Sequence, residues 1–285
     1  MKRRDFLLSV LVLAAVALPG PVHLARAAAA RPFHSTRISV VVRGTGPDVI
    51  LIPGLTASRA VWDGTVAALP GYRYHLVQVA GFAGTPPAGN AKGQVVAPVA
   101  AEVARYISTM RLNLPALVGH SMGGTIAMMV AARHPSLVGK AMVVDMLPQP
   151  AGMLGTSSAG LRGFAGLFRD LGDSPGGRQL VTSLMGMFGN DASADGRSDP
   201  GVVARAAHEL AVTDLTAELP NIAAPLTIVY AVPDISRRAG IDRSYAAAYA
   251  ARPGTRLRRV DRSGHMIMYD QPGRFRELLK AFLGS

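Results

Sequence analysis

The chain has 285 residues, 49% of them hydrophobic and 17% charged, with a net charge of +12 and no cysteine. Length and composition fit one globular domain, with or without a large insertion, and exclude wholesale disorder. The missing thiols exclude disulfides, cysteine–zinc sites, iron–sulfur clusters and a cysteine nucleophile, so packing must hold the fold.

Residues 1–30 open with Lys2, Arg3 and Arg4, continue as an apolar run from Phe6 to Leu18, and end around Ala25-Arg26-Ala27. A basic start, a short apolar stretch and a small-x-small pattern predict a cleaved export signal rather than a membrane span. Arg3-Arg4-Asp5-Phe6-Leu7 resembles the twin-arginine signal of bacteria. The expectation is an exported bacterial protein, periplasmic or secreted, with no stable membrane span after cleavage. The mature chain stays basic, which suits either an anionic substrate or an arginine-rich genome. No Lys/Arg run with interleaved aromatics points to nucleic acid, so none is expected as a partner.

Residues 35–43 alternate polar and apolar side chains as a half-buried strand does, and residues 48–52 form the continuous apolar run of a strand covered on both faces, stopped by Pro53-Gly54. Residues 62–69 predict a short helix, 72–80 a strand, 94–110 a helix, 116–118 a strand, 122–133 a helix and 140–145 a buried strand. Between 147 and 221 no buried strand pattern occurs, which predicts an inserted helical cap. The sheet resumes at 226–232 and 255–260, and 273–283 reads as a closing amphipathic helix with Phe275, Leu278, Leu279 and Phe282 on one face. This alternation predicts an α/β fold: a mostly parallel sheet of the eight-stranded type with helices on both faces, its core formed by 31–146 and 222–285.

Gly119-His120-Ser121-Met122-Gly123 fits the Gly-x-Ser-x-Gly nucleophile elbow and lies between a predicted buried strand and a predicted helix, as that turn requires. Ser121 is therefore the candidate nucleophile. A serine hydroxyl needs a base, and His265, after a strand and a tight Ser263-Gly264 turn, is the candidate. The base needs an orienting carboxylate; Asp234, just past the strand 226–232, is favoured, with Asp145 at the end of the preceding strand as the rival. Asp242 and Asp261 read as surface residues, and His120 as a residue whose side chain points away from the serine. The backbone amides of Met122 and Leu55, the latter after Pro53-Gly54, are the expected oxyanion donors. No phosphate loop, dinucleotide fingerprint or metal-ligand cluster occurs, so neither cofactor nor metal is expected.

These segments, from Leu51-Ile52-Pro53-Gly54 through Gly119-His120-Ser121-Met122-Gly123-Gly124 to Pro233-Asp234 and Ser263-Gly264-His265, resemble the α/β-hydrolase superfamily in its branch of small esterase-like and acyltransferase-like proteins with an inserted lid. The order serine, aspartate, histidine is that of the family. Two stretches depart from its pattern: Pro53-Gly54 stands where His-Gly is common, and Gln78-Val79-Ala80-Gly81-Phe82-Ala83-Gly84 where Asp-x-Pro-Gly-x-Gly is. The resemblance implies hydrolysis of a carboxylic ester through an acyl-enzyme, with a small-molecule ester or acyl substrate. Cleavage of an amide or of an anionic extracellular polymer by the same residues, and a non-catalytic binding role, are the alternatives. Met122, Met153, Met185, Met187, Met266 and Met268 would suit an adaptable apolar cleft or ordinary core, and Arg162, Arg169 and Arg178 an anionic substrate. The sequence leaves the oligomeric state open.

Overall fold

The computed structural model describes residues 32–154 and 197–284. Among them seven strands form one sheet: β1 (Ile38–Arg43), β2 (Asp48–Ile52), β3 (Arg73–Val79), β4 (Ala116–His120), β5 (Lys140–Val144), β6 (Leu226–Val232) and β7 (Arg256–Asp261). Their order across the sheet is β1-β3-β2-β4-β5-β6-β7. Only β1 runs antiparallel to its neighbour, β3; all other pairings are parallel.

Parallel strands need crossovers, and helices supply them on both faces. In chain order the described helices are α1 (Asp63–Ala68), α2 (Val96–Thr109), α3 (Met122–Arg133), α4 (Pro200–Val212), α5 (Arg238–Ala248), α6 (Ile267–Asp270) and α7 (Pro272–Leu283). Alternate residues of one strand feed opposite layers: Ile50 and Ile52 pack in the cluster with α2, α3 and α4, whereas Val49 and Leu51 pack with Trp62, Phe275 and Leu279. This is why the central strands read as unbroken apolar runs.

The register sets the edge where the strands end. Ile52 lies opposite Gly119, and His120 opposite Val144. Val144 lies opposite Val229, so β6 runs on through Val232 beyond the end of β5, paired there with β7. The loops after β2, β4, β5 and β7 therefore gather at one rim, the place where open α/β sheets bind ligands.

Of the segment read as a cap, residues 155–196 lie outside the described ones, as do the export-signal residues 1–30, Met185 and Met187, and Arg162, Arg169 and Arg178. The described part of that segment returns through α4, whose start is fixed by Pro200 and by the Asp199 carboxylate accepting from the Val202 amide at 2.9 Å. Glu209 on α4 then accepts from the amides of Val95, Val96 and Ala97 at 2.8 Å each. Those amides belong to the first turn of α2, whose N–H groups have no partner within the helix, and the positive helix end favours the carboxylate. Among the described residues no helix is long and apolar enough to cross a membrane.

Candidate active site

Ser121 sits in the turn from β4 into α3 with φ 55° and ψ −122°, a backbone conformation that costs a non-glycine residue of order 1–3 kcal/mol. Its neighbours explain how the turn is held. A Cβ on Gly119 would stand 2.0 Å from the Gly123 carbonyl oxygen, and one on Gly123 would stand 2.2 Å from that of Ile52. Only glycines let strand, helix and the neighbouring strand approach so closely. The Ser121 amide donates to the Val144 carbonyl at 2.9 Å, and the Ser121 carbonyl accepts from Gly124 at 2.8 Å. The serine is half-buried, and Met122 behind it is fully buried in the core.

The loop after β2 passes directly over the serine: a Cβ on Gly54 would lie 3.2 Å from the Ser121 Cβ. Thr56, with φ 63°, ties its hydroxyl to the Leu55 carbonyl at 2.6 Å. The Met122 amide lies in the first turn of α3, where N–H groups lack helical partners. Among the described residues neither it nor the Leu55 amide has an acceptor. Gln78, in the stretch that departs from the superfamily pattern, braces this loop from below. Its side chain is buried, accepts from the Arg59 amide at 2.9 Å and donates to the carbonyls of Ala57 and Phe82.

The aspartate favoured from the sequence is not the one that meets the histidine. His265 Nδ1 lies 2.7 Å from Asp145 Oδ2. Asp234 is solvent-exposed and accepts from the Ser236 amide at 2.8 Å, capping the turn Ile235–Arg237, and the Ser236 side chain, followed by that amide, holds its carboxyl below the usual aspartate range. The reason lies in strand length and order. β5 is the direct neighbour of β4 and stops at the rim, so Asp145 emerges beside Ser121, whose amide is bonded to Val144. β6 is one strand further away and overshoots, which carries Asp234 past the rim. Asp145 itself has φ 50°, turning its side chain inward, and is 4% exposed.

His120, expected to point away from the serine, holds the histidine loop. Its Nε2 donates to the His265 carbonyl at 2.9 Å, and the two rings lie 4.6 Å apart, centroid to centroid. Complete burial, with His265 alongside, pushes His120 down to about 3, so it stays neutral. The chain continues as strand through His120, and this alternation was the available signal: a side chain adjacent to Ser121 must turn towards one of the flanking layers. Asp242 and Asp261, read as surface residues, are half-buried partners of Arg259. Met266 and Met268 pack in the core beside α7, and Met122 in the opposite layer. Among the described residues no three His, Asp or Glu side chains gather as metal ligands.

The profile of the alpha/beta hydrolase family covers residues 49–278. The chain belongs to the alpha/beta hydrolase family. A pimeloyl-acyl-carrier-protein methyl ester esterase of Aeromonas hydrophila is 36% identical to this chain over 112 residues, 39% of the chain and 42% of the esterase. The chain thus matches less than half of that relative's length. An uncharacterised protein of Mycobacterium bovis is 25% identical over 305 residues, 90% of this chain and 80% of the relative. Of solved structures, an esterase from Exiguobacterium antarcticum superposes with a TM-score of 0.66 at 22% identity, covering 87% of this chain and 96% of the esterase. The enol-lactonase from Burkholderia xenovorans LB400 gives 0.62 at 17% identity, covering 87% and 96%. These two likenesses show the fold.

Proposed function

We propose that this hydrolase is an exported serine esterase acting on small-molecule carboxylic esters, with Ser121 as nucleophile, His265 as base and Asp145 as the carboxylate that orients the base. The observation that carries the reading is the His265–Asp145 hydrogen bond at 2.7 Å, tied through Val144 to the strained backbone of Ser121. In the first step the Ser121 hydroxyl attacks the ester carbonyl while His265 takes its proton; the amides of Leu55 and Met122 receive the charge that develops on the carbonyl oxygen. The carbon–oxygen bond to the alcohol then breaks, and His265 returns the proton to the leaving oxygen. Water, deprotonated by the same histidine, releases the acid and restores the serine. Asp145 holds Nδ1–H throughout and stabilises the imidazolium without taking its proton.

Esterase names among the relatives support the ester as substrate class. The basic and apolar pattern of residues 1–30 supports export. The test is p-nitrophenyl ester turnover together with labelling by a fluorophosphonate probe. The wild-type chain is labelled at Ser121 and turns over the ester, and Ser121→Ala loses the label and at least about 10⁴-fold in kcat. Full turnover by Ser121→Ala refutes the reading.

A further inference from the structure

Asp145 is gripped by more than its histidine. Oδ2 faces His265, whereas Oδ1 accepts from the Ala231 amide at 2.9 Å and from the Tyr245 hydroxyl, also at 2.9 Å. Tyr245 comes from α5, the helix that follows the turn built around Asp234. Its ring is buried and stacks on Tyr230 at 4.3 Å and 19°. Tyr230 is fixed in turn, donating to Asp242 at 2.7 Å, and Asp242 pairs with Arg259 at 2.6 Å. Burial, reinforced by the Asp145 charge, raises the Tyr245 phenol well above its ordinary value.

A carboxylate turns about its last torsion in a broad, two-fold well, so its direction is set by its donors and not by rotamer preference. With the phenol in place both lone-pair sides of Oδ1 are engaged and Oδ2 is presented to His265. We infer that Tyr245 is a positioning residue for the reaction, fixing the rotation of the Asp145 carboxylate and drawing off part of its charge. This inference rests on the reading of Asp145 as the orienting acid. The titratable groups facing the pair are Tyr245 and Tyr249 from α5, Tyr230 behind Tyr245 on β6, and His120 from β4 against His265. Tyr249 supplies an internal comparison: it is equally buried, capping the end of the same helix, but its hydroxyl donates to the Met146 carbonyl at 2.7 Å.

Removing the phenol frees the Asp145 carboxylate to rotate and leaves more of its charge on Oδ2, the oxygen that faces His265. The experiment is the pH profile of kcat and kcat/KM for p-nitrophenyl acetate with Tyr245→Phe, Tyr249→Phe and Asp145→Asn in the full chain. Tyr245→Phe is expected to lower kcat about tenfold with KM within twofold, and to move the acidic limb of kcat/KM up by about half a unit. Tyr249→Phe moves neither. Difluorotyrosine at position 245, which keeps the ring packing and strengthens the donor, moves the limb the opposite way and serves if the phenylalanine variant folds poorly. An unmoved limb in Tyr245→Phe, or equal losses in both phenylalanine variants, overturns the inference. Wild-type activity in Asp145→Asn instead removes the premise that Asp145 is the acid, so the two failures are told apart.

Discussion

Two histidine–aspartate pairs of nearly equal geometry lie in this one sheet. His265 meets Asp145 at 2.7 Å beyond the carboxyl ends of the strands, and His75 meets Asp48 at 2.8 Å near the amino end of β2. His75 gives its second ring nitrogen to the Tyr106 hydroxyl at 2.7 Å and is 2% exposed; Arg73 bonds the same aspartate at 2.8 Å. Burial pushes the Asp48 carboxyl up, but the hydrogen bonds from Arg73 and His75 outweigh it and hold the group below its usual range; burial lowers His75. That pair is saturated by its neighbours inside regular strands. The other sits where two non-glycine residues, Ser121 and Asp145, have positive φ, on loops instead of ladders. In the proposed mechanism the pair at the rim works because topology sets it beside the strained Ser121; within the sheet such a pair is a means of satisfying buried polar groups.

Exchanging the two histidines for alanine is the sharpest way to break this comparison. His265→Ala is expected to cost about 10⁴-fold in kcat, roughly 5 kcal/mol on the barrier. His75→Ala leaves kcat within twofold but strands the buried Asp48 and Tyr106 groups, a loss of about 3 kcal/mol by urea unfolding. A fall in kcat for His75→Ala at full stability contradicts the distinction.

The inner strands were legible because strands buried on both faces leave continuous apolar runs such as Asp48–Ile52 and Leu226–Val232, and the edge strand β1 because its residues alternate polar and apolar. Ser121 and His265 stand out in the sequence because each follows a strand in a turn containing glycine, and beside Ser121 only glycines fit. The carboxylate that meets His265 does not. Asp145 and Asp234 both satisfy the order serine, aspartate, histidine, and the choice between them depends on which strand borders β4 and how far β6 overshoots, facts of register that no local pattern carries. Tyr245 left no sequence signal for the same reason: α5, rich in Ala and Arg, has no clear apolar stripe, and its one inward tyrosine finds Asp145 only through the tertiary fold.

A smaller effect sharpens the contrast at the base of the inserted segment, whose returning helix is latched to the core by charge. Glu209→Gln keeps the shape but removes the charge that three amides of α2 share, and about 2 kcal/mol of stability is expected to go with it. Unchanged denaturation midpoints would refute the latch. A pH-dependent effect concerns His120. Its folded-state value, about 3, lies below the unfolded value of about 6.5. Its share of stability is therefore complete above about pH 6.5 and drains away as pH falls towards 3, by up to about 1.4 kcal/mol per unit. Thermal melts of His120→Gln between pH 7 and 4 should fall less steeply than wild type; parallel curves would contradict the burial of a neutral imidazole.

The pairing of His265 with Asp145 in preference to Asp234 is most directly examined by measuring kcat/KM for a p-nitrophenyl ester in Asp145→Asn and Asp234→Asn side by side. The geometry predicts a loss of about 10³–10⁴-fold in Asp145→Asn and a value within twofold of wild type in Asp234→Asn. A crippled Asp234→Asn beside a fully active Asp145→Asn would contradict it.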